Sequence, residues 1–145
     1  MQVEIHETAF EPYAELQAYQ ENMQQAGQYG ATAVFVGTMR DFNEGDEVRS
    51  MVLEHYAGMT ENYLEQISQQ AAKQWSLLDS LIIHRVGEIH PNDPIVLVAV
   101  WSAHRKDAFE ASRFLMEELK SKAPFWKKEF LEQGHRWVQT STPGR

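Results

Sequence analysis

The spacing of apolar positions divides the chain into strand-like and helix-like stretches. Residues 3–10 alternate loosely through Val3, Ile5, Thr8 and Phe10 and predict a first strand. Pro12 suits a first helical turn. Tyr13, Leu16, Tyr19, Met23 and Ala26 then recur at helical spacing until Gly27 and Gly30 stop the helix. Ala31–Arg40 (ATAVFVGTMR) is rich in β-branched residues, and Val48–Tyr56 alternates. With the polar loop Asp41–Asp46 between them, these two strands predict a hairpin.

Beyond Gly58, a helix over Thr60–Trp75 presents Tyr63, Ile67, Ala71 and Trp75 on one face. Leu81–Ile89 and Pro94–Ala103 read as strands joined at His90–Asp93. The run IVLVAVW in the second suits a central strand buried on both faces. Asp107 with Glu110 resembles a capping box opening a third helix over 107–122, with Ala108, Ala111, Leu115 and Leu119 as its core stripe. Pro124 ends it. A short aromatic-basic segment, Phe125–Phe130, follows, and Arg136–Thr140 reads as a last strand. The order β-α-β-β-α-β-β-α-β predicts one α+β domain over 1–145, with a mixed or antiparallel sheet and three main helices.

Composition narrows the chemistry. The 145 residues include no cysteine, which excludes disulfides, thiolate metal sites and any cysteine nucleophile or persulfide on this chain. No apolar run reaches the length of a membrane span, and MQVEIHETAF lacks the basic-then-apolar order of a leader, so a soluble cytoplasmic protein is expected. The net charge is −8, yet residues 104–136 carry eight of the thirteen Lys and Arg against six acids. A local cationic cluster on an acidic chain suits a small anion better than nucleic acid.

The common nucleotide-binding, zinc-protease and serine-hydrolase motifs are absent. The six histidines never pair at i, i+3 or i+4, so neither a metal nor another cofactor is expected. Ser102–Asp107 (SAHRKD) places His104, Arg105 and Lys106 where a strand gives way to a helix, at the end whose N–H groups favour an anion. The same residues also fit a solvated turn. Arg40 at a strand end is either a solvated edge residue or an anion contact. Lys120 borders the core stripe of its helix, where partial desolvation makes a neutral amine accessible, although lysines in a last turn also simply meet the helix dipole. Met116, one turn earlier, is a pocket wall or plain core. Phe125, Trp126, Lys127 and Lys128 offer a wall and charge for a flat anionic heterocycle, or an aromatic core with a basic edge.

The stretches GTMRDFN (Gly37–Asn43), LEHYAGMTE (Leu53–Glu61), IIHRVGEI (Ile82–Ile89), SAHRKDAFEA (Ser102–Ala111), LKSKAPFWKKE (Leu119–Glu129) and the pair Arg136-Trp137 together resemble the large, catalytic subunit family of molybdopterin synthase. The resemblance implies an α/β hammerhead-like fold and a sulfurtransferase of molybdenum cofactor biosynthesis. Its substrate would be cyclic pyranopterin monophosphate, given dithiolene sulfurs from the C-terminal Gly-Gly thiocarboxylate of a small ubiquitin-like subunit. It implies a homodimer at the centre of a heterotetramer, Lys120 and Lys127 as catalytic residues, and Arg40, His104 and Arg105 on the substrate phosphate. Thr38, Met39, Lys128 and Glu129 would line the substrate site, with Met116, Phe125 and Trp126 as pocket walls. A non-catalytic module binding an anion or a partner tail, or a homologue that has lost catalysis, accounts for the cation cluster as well.

Overall fold

A computed structural model describes residues 1–43, 45–131 and 134–138. The first sheet has the order β1 (Gln2–His6), β5 (Asp79–Arg85), β7 (Pro94–Ser102), β2 (Ala31–Thr38). β1 runs parallel to β5, and the other pairs are antiparallel. Three helices flank this sheet: α1 (Pro12–Glu21), α2 (Met59–Trp75) and α3 (Arg105–Lys122). β7 is buried from Val96 to Ser102 because successive side chains enter different cores. Val96, Val98 and Val100 pack with Leu64, Ile67 and Ala71 of α2 and with Ala108, Ala111, Leu115 and Leu119 of α3. Leu97, Ala99 and Trp101 pack on the other face with Phe10, Leu81, Ile83 and the half-buried Leu16 and Tyr19 of α1.

The second sheet is antiparallel: β3 (Phe42–Asn43), β4 (Asp46–His55), β8 (Phe125–Leu131) and β9 (Gly134–Val138), with β6 (Gly87–Ile89) also paired to β4. Its inner face buries Met39, Val48, Met51, Leu53, Val86 and Ile89. The protein is therefore α+β, with one mixed and one antiparallel sheet and three helices among the described residues.

Several local expectations give way to this arrangement. β2 and β4 do not form a hairpin, because β2 finds its apolar complement in β7 while β4 lies between β8 and β6. The stretch 81–89 is two strands. Gly87, at φ 89°, breaks the run and carries the chain from the first sheet to the second. The first helix stops at Glu21, where the Asn22 N–H bonds back to Tyr19 O and the Met23 N–H to Gln20 O, well before Gly27. His104, in extended conformation, is the N-cap of α3, so Asp107 sits in the first turn and complements the helix dipole without capping. The segment after Pro124 is a full strand, and Asn43 within the polar loop belongs to a short one. Gln139 and Thr140 of the expected last strand lie outside the described residues.

Candidate active site

Three segments meet where the two sheets and the end of α3 converge. The first is the exit of β2. Gly37 passes so close to β7 that a Cβ there would stand 2.8 Å from Val96 Cγ1, and the pairing register shifts just after it. The chain then turns inward. Met39 is buried, its N–H bonds to Asp93 O at 3.0 Å, and its carbonyl accepts from Asn92 N at 2.9 Å. Arg40 follows this two-sided anchor.

The second segment is β8. Its alternation sends Lys127 and Glu129 to the inner face with the half-buried Phe125 and Leu131. The opposite face carries Trp126, edge-on to Tyr56, and Lys128, whose Nζ lies 5.4 Å from the Trp137 ring and 5.6 Å from that of Phe130. The third is the last turn of α3, with Lys120. Thr60 joins the second and third segments. Fully buried, its hydroxyl donates to Pro124 O at 3.0 Å and accepts from Tyr56 N at 3.1 Å, tying the start of α2 to the α3–β8 link.

Thr38, Met39, Arg40, Lys120, Lys127 and Glu129 thus come together around a cavity of about 220 Å³. Asn43, Met51 and Ile95 complete its lining. Asn43 closes the motif Gly37–Asn43 without having been singled out, and Met51 and Ile95 had no signal beyond their places in apolar runs. Lys120 also lines a second cavity, about 490 Å³, between the edge strand β2 (Ala33, Val34, Phe35) and α3 (Phe109, Arg113, Met116). Met116 lines this groove, not the smaller cavity. His104 and Arg105 lie at the opposite end of α3, fifteen residues before Lys120 in the case of Arg105, a distance of about 22 Å along the axis. Within one chain they do not join the cavity.

Enclosure shapes the charges. Lys120 is exposed as a residue, yet desolvation where its ammonium meets the two cavities pulls it down to about 8 from the usual 10.5, with Lys127 and then Arg40 adding repulsion. Lys127 is lowered by burial too, while Glu129 pushes it back up and Arg40 down. Beneath them His84, a buried residue that sequence reasoning passed over, stacks on Phe125 with ring centroids 4.0 Å apart. Desolvation holds it neutral, lowered to about 3, and the neighbouring Lys120, His55 and Lys127 add to that. Its Nδ1–H bonds to Arg85 O at 2.9 Å, which leaves Nε2 with the lone pair.

This arrangement can hold an anion against Arg40, Lys120 and Lys127 and can exchange a proton near neutrality at Lys120. The groove from β2 and α3 gives access for an extended chain. Residues 9–122 match the family model described as MoaE protein. The molybdopterin synthase catalytic subunit of Ralstonia nicotianae is 51% identical over 136 residues, 94% of this chain and 76% of that one. Its counterpart in Pseudomonas aeruginosa is 48% identical over 139 residues, covering 96% and 91%. Among solved structures, molybdopterin synthase from Staphylococcus aureus superposes with a TM-score of 0.83 at 32% identity, covering 93% of this chain and 95% of that one. The MoaE protein of Burkholderia ambifaria superposes with a TM-score of 0.79 at 44% identity, covering 94% and 88%. With most of its length matched in both sequence and fold, this chain belongs to the MoaE protein family.

Proposed function

We propose that this chain is the catalytic subunit of a molybdopterin synthase. It converts cyclic pyranopterin monophosphate to molybdopterin with sulfur from the C-terminal thiocarboxylate of a small ubiquitin-like subunit. The observation that carries the reading is the position of Lys120, shared by a cationic cavity and an apolar strand–helix groove. The groove suits the extended Gly-Gly tail of the sulfur donor, since β2 is an edge strand with Phe35 and Phe109 exposed beside it. The cavity suits the phosphorylated pterin. A chain with no cysteine must receive sulfur from elsewhere, and here donor and acceptor would meet at one amine.

In this reading the thiocarboxylate sulfur bonds to a pterin side-chain carbon beside Lys120 as that carbon's C–O bond breaks and the oxygen leaves with its electron pair. Water then cleaves the resulting thioester, releasing the small subunit's carboxylate and leaving the sulfur on the pterin. With its ammonium lowered to about 8, Lys120 is available as a cation for a developing oxyanion and as an amine for a proton. Lys127, facing it from β8, orients the pterin. Arg40 takes the phosphate, where one cation at about 4 Å is worth on the order of 4 kcal/mol at an effective dielectric near 20, before desolvation. Thr38, Met39 and Glu129 line the site, and Phe125 braces its floor through His84.

His104 and Arg105 stand too far from Lys120 to serve the same cavity, so they serve the cavity of a second copy in a homodimer. Lys128 and Trp126 face away from the cavity and support the sheet. A cytoplasmic setting belongs to the same reading. The test is dithiolene formation from the cyclic monophosphate and a thiocarboxylated small subunit. Wild type should form product and Lys120→Ala should lose turnover far more than binding. A wild-type protein that binds both partners and forms no product would instead be a binding module.

A further inference from the structure

Among the described residues, Glu129 is the one carboxylate in the lining of a cavity that otherwise presents the cations Arg40, Lys120 and Lys127. It is 5% exposed, so its charge is shielded little by water. Left unpaired, a buried carboxylate there would bind Lys127 and repel an incoming anion. It is not left unpaired. On β9, Arg136 lies directly across from Glu129, and its Nε donates to Oε1 at 3.0 Å. Asn43 Nδ2 reaches Oε1 at 3.2 Å and Oε2 at 3.1 Å. The same guanidinium continues through Nη2 to Asn43 O at 2.7 Å and through Nη1 to Asp46 Oδ2 at 2.8 Å. One arginine therefore ties Asn43 of β3, three residues after Arg40, to Asp46 of β4 and holds the carboxylate on β8.

We propose that Arg136, with Asn43, is a positioning residue for this site: it takes up the charge of Glu129 and ties β3 to β4, so that Lys127 stays available to an anionic substrate. Neither Arg136 nor its guanidinium lines the cavity. It acts through Glu129 and Asn43. The anionic substrate rests on the function proposed above, whereas the neutralisation of Glu129 does not.

The effect is separable from folding because a double substitution removes both charges. Arg136→Gln, Glu129→Gln, the pair together and Arg136→Lys are compared with wild type in the full chain assembled with its thiocarboxylated partner. Arg136→Gln should raise KM for the cyclic monophosphate about tenfold with a smaller change in kcat, the pattern of lost binding. The double variant should return KM to within about threefold of wild type, and Arg136→Lys should fall between the two, because lysine restores the charge without the fork. A double variant as impaired as Arg136→Gln, or more so, would overturn the inference, since a purely structural arginine is not restored by removing its partner. A parallel titration with inorganic pyrophosphate reads the same cavity without the reaction. The order wild type, double variant, Arg136→Gln in affinity supports the inference even if no product forms. Equal affinities, or no binding by wild type, refute it while leaving the sulfur-transfer assay to decide the function.

Discussion

The ionisation of Lys120 offers the sharpest quantitative test. An amine titrating at about 8 is about 9% neutral at pH 7, whereas one at the ordinary 10.5 is about 0.03% neutral, a difference of roughly 300-fold. Desolvation in the cleft is the larger cause, followed by the charge of Lys127 and that of Arg40. Competitive acylation of the intact protein across pH 6–11, read lysine by lysine by mass spectrometry against a reference peptide, follows the neutral amine directly. Lys120 should label with a midpoint near 8. Lys127→Met should move that midpoint upwards without returning it to the peptide value, because burial remains. A Lys120 midpoint equal to the peptide's would refute the enclosure argument, and one unmoved by Lys127→Met would show that the two ammonium groups do not sense each other. The linkage has a definite sign. Between pH 8 and 10.5 the unfolded chain keeps a proton that the folded chain has released, so this residue's contribution to stability rises with pH through that window. Below pH 8 both states are protonated, and the cost of enclosing the charge is present in full.

Three further outcomes follow from the geometry. Mixing Lys120→Ala with Arg105→Ala chains should regenerate activity, since a mixed dimer in which Arg105 serves the opposite cavity has one intact site. Activity that stays absent in purified mixed dimers would mean that Arg105 works within its own chain or not at all. Gly37→Ala should cost about 1–3 kcal/mol, because its Cβ would press on the fully buried Val96, and thermal denaturation would show the loss. Thr60→Val keeps the volume but strands Pro124 O and Tyr56 N. About 1–3 kcal/mol of stability should disappear in urea titration, and an unchanged midpoint would remove Thr60 from the set of residues that hold Lys120 and Lys127 in place.

The sequence by itself determined the elements that bury a continuous stripe. The α3 residues Ala108, Ala111, Leu115 and Leu119, the α2 positions Ile67 and Ala71, and the β7 run from Val96 to Trp101 are all buried as their periods require. Hydrophobic periodicity reports burial of a face, and burial of a face is a local property of spacing. The motifs that carry Arg40, Lys120 and Lys127 were legible for the same reason, as short contiguous strings. Tertiary structure alone decided which strands share a sheet, because β2 and β4 are both apolar enough to pair and only the packing of β7 against β2 and of β8 against β4 separates them. It alone placed Lys128 and Trp126 across the sheet from Lys127, through the register of a strand that polar and aromatic residues concealed. It set His104 and Arg105 four helical turns from Lys120, and it brought Thr60 and His84 to a site whose residues lie far from each of them along the chain. Contacts between distant segments depend on loop closure and shape complementarity, and neither is written in the local alternation of residues.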